Sequence, residues 1–183
     1  MKVEFIRKII QDYFIPLLIG IGIAMIINVF FMRTVVPTGS MLPTIQLNDR
    51  LLIQKTYDTH FLKRGDIVVF EPNTEQNEKL YIKRLIGLPG DKIEFKLVDG
   101  VSTVWINGER LEESYVTNHS TEDISKIYYV PEDSYFFLGD NRAESYDARY
   151  WQNNYIHESQ IRGKMIFNFT QFFKNIKNLI IGE

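Results

Sequence analysis

Cysteine is absent from this chain of 183 residues. That single absence removes disulfides, thiolate metal sites, dithiol redox chemistry and a cysteine nucleophile. Membrane-anchored transpeptidases of the sortase kind, which attack through a cysteine, are excluded with them. Histidine is scarce: His60, His119 and His157 sit in polar, loop-like contexts, and none adjoins a motif. There is no Gly-x-Ser-x-Gly elbow, His-Glu-x-x-His, P-loop or Gly-x-Gly-x-x-Gly, so nothing calls for a metal or a cofactor. Clustered basic charge is missing as well. Residues 34–160 carry 13 basic and 20 acidic side chains, a net of −7. An acidic body of that kind is a poor partner for nucleic acid, whose phosphates are bound by grouped Lys and Arg.

Charge is also missing from Tyr13 to Met32, a run of 20 residues in which Asn28 is the strongly polar side chain. At about 1.5 Å per residue, a helix of that length spans about 30 Å, the thickness of a bilayer core. A cleaved leader would have an apolar region of about 7–15 residues followed by a small-x-small site. This run is longer, and Met32-Arg33-Thr34-Val35-Val36-Pro37 offers no such site. A buried core helix would keep a polar face, which this one lacks. Lys2, Arg7 and Lys8 precede the run and Arg33 follows it. The positive-inside rule then puts residues 1–12 in the cytoplasm, 13–32 across the cell membrane, and 33–183 outside as one domain.

Beyond the span the chain reads mostly as short strands. Gly65-Asp66 precedes Ile67–Phe70, and Lys79–Ile86 runs into Gly87-Leu88-Pro89-Gly90. Asp91–Val98 alternates, Val101–Ile106 meets the hairpin dipeptide Asn107-Gly108, and Ser134–Leu138 and Lys164–Phe167 follow. Segments 71–79 and 112–126 are polar and read as loops. The fold class expected is mainly β: a twisted antiparallel sheet or barrel-like domain behind one N-terminal membrane helix. Phe167–Ile181 has the spacing of a short amphipathic helix, packed on the domain or resting on lipid.

Three segments can carry chemistry. In Pro37–Thr44, Ser40 follows a glycine and lies between two prolines, so its hydroxyl is presented in a fixed direction. Ser40 stands eight residues past Met32, within about 26 Å of the span at about 3.3 Å per residue. In Leu80–Gly87, Lys83 and Arg84 interrupt an apolar strand and point to opposite faces, Lys83 with Tyr81 and Leu85. Taken alone, this segment reads as an edge strand whose two cations reach water. If the Lys83 face is buried instead, desolvation can lower the lysine pKa from ~10.4 by about 3–5 units, and a neutral amine can deprotonate a serine. The third segment, Gly139–Arg149, packs turn formers, acids, arginines and Ser145 together; Asp147 and Arg149 suit a bidentate pair.

Together these segments resemble bacterial type I signal peptidases: GSMLPT around Ser40, YIKRLIGLPGD around Lys83 and GDNRAESYDAR from Gly139, in that order behind one span. GDIVVF and VWINGERL fit as well, and the single span and small size are similar to the Gram-positive form. The resemblance implies Ser40 as nucleophile, Lys83 as general base, and Ser145 hydrogen-bonded to the Lys83 amine. It implies that Asp147 and Arg149 hold the site in shape, and that the backbone N–H of Ser40 and the Thr38 hydroxyl meet the oxyanion. Met41, Tyr81 and Ile82 would line the substrate pocket. Two positions depart from the common pattern: Ala148 stands where serine is usual, and Glu144 where Asn is frequent. The activity implied is removal of signal peptides from translocated preproteins, with the lipid bilayer as the other partner and no nucleic acid. A self-processing Ser–Lys peptidase of the LexA type and a non-catalytic, membrane-tethered β-domain are the competing functions. The sequence is silent on oligomeric state.

Overall fold

A computed structural model describes residues 2–56, 58–72, 80–124 and 126–181. It divides into two compact units, Met1–Met32 and Arg33–Glu183. The first is helical: α1 (Lys2–Ile9), a wide turn over Ile10–Phe14, and α2 (Ile15–Phe30). The wide turn has a cause. Pro16 cannot donate a backbone hydrogen bond and its ring crowds the carbonyl four residues back, so the helix opens just before it. The Ile15 N–H accordingly reaches five residues back to the Ile10 carbonyl. Among the described residues, Val3–Phe30 is long and apolar enough to cross a membrane. None of Ile15–Phe30 is buried.

The second unit is mainly β, in two antiparallel sheets. The larger is a curled half-barrel. In spatial order it contains β1 (Phe31–Val35), β2 (Arg50–Lys55), β11 (Ile161–Asn168), β3 (Ile67–Phe70), β4 (Tyr81–Gly87), β9 (Ser134–Leu138) and β10 (Ile156–His157). The smaller runs β7 (Glu109–Arg110), β6 (Val101–Ile106), β5 (Lys92–Val98) and β8 (Ile127–Tyr129). Its hairpins follow from local chemistry. Asp99-Gly100 (φ 52 and 77) and Asn107-Gly108 (φ 53 and 92) all have positive φ, as two-residue turns of the type I′ class require. β3, β4 and β9 form the middle of the larger sheet, and β3 and β9 are buried at every residue. Phe70, Phe136, Phe137 and Tyr128 are the bulkiest buried side chains, and the core runs from here into the smaller sheet.

The mainly β, antiparallel expectation holds, with two differences in detail and one segment that lies mostly outside the described residues. β1, β2, β7, β8 and β10 are missing from the strand list above: β1 continues an apolar run, β2 is a short stretch between loops, and the other three are only two or three residues long. The polar segment 71–79 was expected to be a loop, but residues 73–79 lie outside the described residues, as does Lys79 at the start of the expected fourth strand. The edge-strand reading of Lys83 and Arg84 fails. β4 lies between β3 and β9, and both cations are buried. Each is buried because a partner is brought to it from a distant part of the chain. The C-terminal segment is helical as its spacing predicts, forming α3 (Phe169–Ile181).

Candidate active site

β4 sets the direction of both cations. Its register places Lys83 opposite Val68 and Arg84 opposite Ile67 on β3, while Arg84 also faces Leu138 on β9. Successive strand residues point oppositely, so the two side chains leave the sheet on different sides. Lys83 meets the Ser40 loop, where its Nζ donates to the Ser40 Oγ at 2.5 Å. Lys83 as a whole is only 5% exposed. Burial lowers the Lys83 pKa from the ordinary 10.5 to about 8, against Asp147 and Asp140, which raise it, and with Arg149, which lowers it further. Desolvation is thus the dominant cause, and it leaves a useful neutral fraction. At pH 7 about a tenth of the amine is uncharged, roughly 300 times the fraction for an ordinary lysine.

The loop that carries Ser40 is clamped by Gly139–Arg149. The Asn141 backbone N–H donates to the Ser40 carbonyl at 3.1 Å, and its side-chain amide donates to the Gly39 carbonyl at 3.1 Å. Thr44 donates to Asp140 at 2.5 Å. Asp140 in turn receives the Arg84 guanidinium through two bonds, at 2.8 and 2.6 Å. Arg84 reaches the Gly65 carbonyl as well and stacks its guanidinium over Tyr115. Sequence reasoning missed Asn141, Asp140 and Thr44 as supports of the Ser40 loop. The signal available was the run of hydrogen-bonding turn formers, Gly139-Asp140-Asn141, at the end of a buried strand.

Asp147 and Arg149 do pair bidentately, at 2.8 and 2.9 Å, and both are buried. Asp147 also accepts the Gly139 N–H, while Arg149 binds the Arg142 and Ser145 carbonyls. The pair therefore fixes the backbone that presents Ser145. Ser145 itself departs from expectation. Its Oγ is buried without a hydrogen-bond partner among the described residues, so the Ser145–Lys83 bond is not formed. Nζ is directed at Ser40 instead. The Ser145 hydroxyl lies against Gly139, where an added Cβ would come 2.1 Å from it and 2.5 Å from the Ser40 carbonyl oxygen. It is thus beside the Ser40 backbone, possible because residue 139 has no side chain. Thr38 Oγ1 stands 3.5 Å from Ser40 Oγ, at the outer limit of a hydrogen bond.

Ser40 and Lys83 open into a cavity of about 430 Å³ whose walls include Thr38, Met41, Tyr81, Ile82, Glu144 and Tyr146. The three expected pocket residues, Met41, Tyr81 and Ile82, all line it. Glu144 and Tyr146 were not expected there; both are exposed positions in the Gly139–Arg149 loop. Glu144 also accepts a bond from the Asn141 amide, which ties the cavity wall to the Ser40 clamp. Ala148, fully buried, donates its N–H to the Phe137 carbonyl, a role that needs no hydroxyl. The histidines are elsewhere. His157 bridges Ser159 at 2.8 Å and Asp133 at 3.1 Å, but its Nδ1 also accepts the Ser159 N–H, capping the short helical turn Glu158–Gln160.

Residues 8–170 match the family model described as signal peptidase, peptidase S26. The chain belongs to that family. A "Probable signal peptidase I-2" from Synechocystis sp. is 37% identical over 139 residues, covering 73% of this chain and 61% of that protein. A "Signal peptidase I" from Leptolyngbya laminosa is 40% identical, covering 73% of this chain and 66% of its own. The chain therefore spans a little under two thirds of these two relatives. It matches 90% of a "Signal peptidase I" from Bacillus caldolyticus, at 30% identity over 86% of this chain. A crystal structure of a signal peptidase I from Enterococcus faecalis V583 aligns with a TM-score of 0.44 and 31% identity, covering 57% of this chain and 97% of that one.

Proposed function

We propose that this family member is a membrane-bound serine endopeptidase that removes N-terminal signal peptides from translocated preproteins. The observation that carries the reading is a buried lysine amine 2.5 Å from a serine hydroxyl at the mouth of a partly apolar cavity. Ser40 is the nucleophile and Lys83 the general base. Neutral Lys83 takes the Ser40 proton as Oγ attacks the scissile carbonyl, then gives that proton to the departing amine. The resulting acyl-enzyme is hydrolysed when Lys83 deprotonates a water. The Ser40 N–H and the Thr38 hydroxyl stabilise the oxyanion, a contribution of about 3–4 kcal/mol for one donor in other proteases. The Ser145 hydroxyl, unpartnered and buried, orients the Lys83 amine once substrate draws the Ser40 oxygen toward the carbonyl. Asp147 and Arg149 hold the backbone of the loop and act on the Lys83 amine through their opposing charges, without taking part in proton transfer.

The substrate's small-x-small segment binds extended along the first half of β4. Among the described residues, β9 pairs with Arg84, Leu85 and Gly87 of β4, whereas Tyr81, Ile82 and Lys83 pair with β3 alone. That free stretch of backbone beside the cavity favours strand addition by a peptide, with shallow pockets reading its small side chains. Residues 1–12 lie in the cytoplasm, the chain from residue 13 to the end of α2 at Phe30 crosses the cell membrane, and the peptidase domain beyond it faces outward, where translocated preproteins emerge. Sharing one membrane face with the scissile bond supplies proximity.

The test is preprotein cleavage by the full chain reconstituted in vesicles. Ser40→Ala and Lys83→Ala should each abolish cleavage while circular dichroism shows a folded domain. Replacing His60, His119 and His157 together should leave the rate within about twofold. Cleavage at the parental rate by folded Ser40→Ala would refute the assignment.

A further inference from the structure

The C-terminal helix α3 turns its apolar side outward. Phe169, Phe172, Phe173, Ile176, Leu179 and Ile180 recur at helical spacing and make one stripe, with Gln171, Lys174, Asn175 and Asn178 on the opposite side. A helix packed on its own domain covers such a stripe. Here no residue of α3 is buried, and Phe173, Leu179 and Ile180 are 62%, 85% and 77% exposed.

Charge singles out the same region. Residues 161–181 contain Arg162, Lys164, Lys174 and Lys177 and no acid, within a domain whose residues 34–160 carry a net of −7. At the start of α3 lies an open groove of about 640 Å³, lined by Val35, Leu51, Phe169 and Phe173 together with Arg33 and Arg50. Neither guanidinium has a carboxylate partner among the described residues. Two cations beside an apolar floor match a phospholipid, whose phosphate and acyl chains have those two needs. A second copy of this chain docked through the same surface would bring Arg33, Arg50 and Lys177 against their counterparts, which like-charge repulsion opposes.

From these features we infer that α3 lies on the bilayer surface, its apolar stripe among the acyl chains, with Arg33, Arg50 and Lys177, which flanks the stripe, taking anionic phospholipid headgroups. The inference rests on the reading above that the N-terminal helix spans the bilayer. Arg33 follows that helix after two residues, at most about 10 Å of chain, which brings the rim of the groove to headgroup level. The surface gives the domain a second attachment to the membrane in which its anchor sits.

The chain's lack of cysteine makes the test clean. Ile176→Cys and, on the polar side, Asn178→Cys are each labelled with an environment-sensitive fluorophore in the full chain. They are reconstituted in phosphatidylcholine vesicles with and without about 30% phosphatidylglycerol, a composition that sets the surface charge. The label at 176 should be quenched by iodide about fivefold less than the label at 178, and should be reached by nitroxide-bearing acyl chains. Arg33→Gln with Arg50→Gln should reduce that protection in the anionic vesicles and leave it unchanged in neutral ones. Equal iodide quenching at the two positions overturns the proposal. So does protection that vanishes as protein is diluted into excess lipid, because a second copy is then the cover. Protection indifferent to both arginines and anionic lipid overturns the headgroup assignment. Preprotein cleavage in the same samples separates this from the peptidase reading: cleavage with α3 in water overturns the lipid contact alone, and protection without cleavage overturns the peptidase alone.

Discussion

Adding one methyl group at Gly139 should cost far more activity than stability. A Cβ there would lie 2.1 Å from the Ser145 Oγ, 2.5 Å from the Ser145 Cβ and 2.5 Å from the Ser40 carbonyl oxygen. The hydroxyl can rotate, but the Ser145 Cβ and the Ser40 carbonyl are tied to backbone that the loop holds. The Ser40 carbonyl is held by the Asn141 N–H at 3.1 Å, and the Gly139 N–H and carbonyl are engaged by Asp147 and Arg142 at 3.0 and 2.9 Å. Overpacking of this kind costs about 1–3 kcal/mol. In a domain of this size each kcal/mol lowers Tm by roughly 2–4 °C, so the Gly139→Ala protein should stay folded at room temperature. Its catalytic geometry has less tolerance. Relief requires the Ser40 backbone or the Ser145 side chain to move by a sizeable fraction of an ångström, and a misplacement of about 1 Å can cost about a hundredfold in rate. The assay is kcat/KM for preprotein cleavage beside a thermal melt. A fall of about a hundredfold with a Tm loss of a few degrees is expected. Gly139→Ala cleaving within twofold of the parent would show that the close approach of Ser40, Gly139 and Ser145 has no bearing on catalysis.

The buried amine leads to a stability prediction of opposite sign. The folded pKa of Lys83, about 8, lies below the ordinary 10.5, so the folded state is penalised wherever the amine must be charged. That penalty is full below about pH 8 and fades as pH rises toward 10.5. Lys83→Met should therefore abolish cleavage yet raise stability at pH 7 by up to about 3 kcal/mol, the gain shrinking in denaturant melts above pH 10; equal or lower stability at pH 7 would contradict the desolvated amine. Lys83→Arg should be inactive at every pH, because a guanidinium stays charged; restored cleavage at high pH would speak against a proton-accepting role. Asp147→Asn leaves the Arg149 charge buried without its partner, and should lose about 3–5 kcal/mol by chemical denaturation; a loss under about 1 kcal/mol would mean the pair does not hold the loop. Asn141→Ala removes the amide that holds the Gly39 carbonyl, and should lower kcat more than it raises KM; a pure KM effect would assign Asn141 to binding instead.

Much of the candidate site was legible because short motifs carry it. The Ser40 loop announces itself by a glycine and two prolines, Lys83 by its position in an apolar strand, and Asp147-Ala148-Arg149 by paired opposite charges. The hairpin at Asn107-Gly108 and the alternation of Lys92–Val98 were equally plain, because turn chemistry and period-two patterning are local. What stayed hidden depends on contacts between distant segments. Nothing near Arg84 in the chain tells that Asp140 will meet it, so an edge strand with solvated cations was the natural reading of Leu80–Gly87. The same holds for Asn141 and Thr44, whose types suit any polar loop until Ser40 is placed between them. Ser145 shows the converse: the motif puts its hydroxyl beside the nucleophile, but which group that hydroxyl bonds depends on where Lys83 points.

The central claim is that Lys83 acts as a base because burial lowers its pKa to about 8 and so leaves a working fraction of the amine uncharged near neutrality. The pH profile of kcat/KM for preprotein cleavage by the vesicle-bound chain, from pH 5 to pH 10, tests it directly, since kcat/KM reports ionisations of the free enzyme. A single ionisation near pH 8 is predicted, with the rate falling about tenfold per pH unit below it. A rate unchanged down to pH 6, or one that rises only near the ordinary lysine pKa, would contradict it.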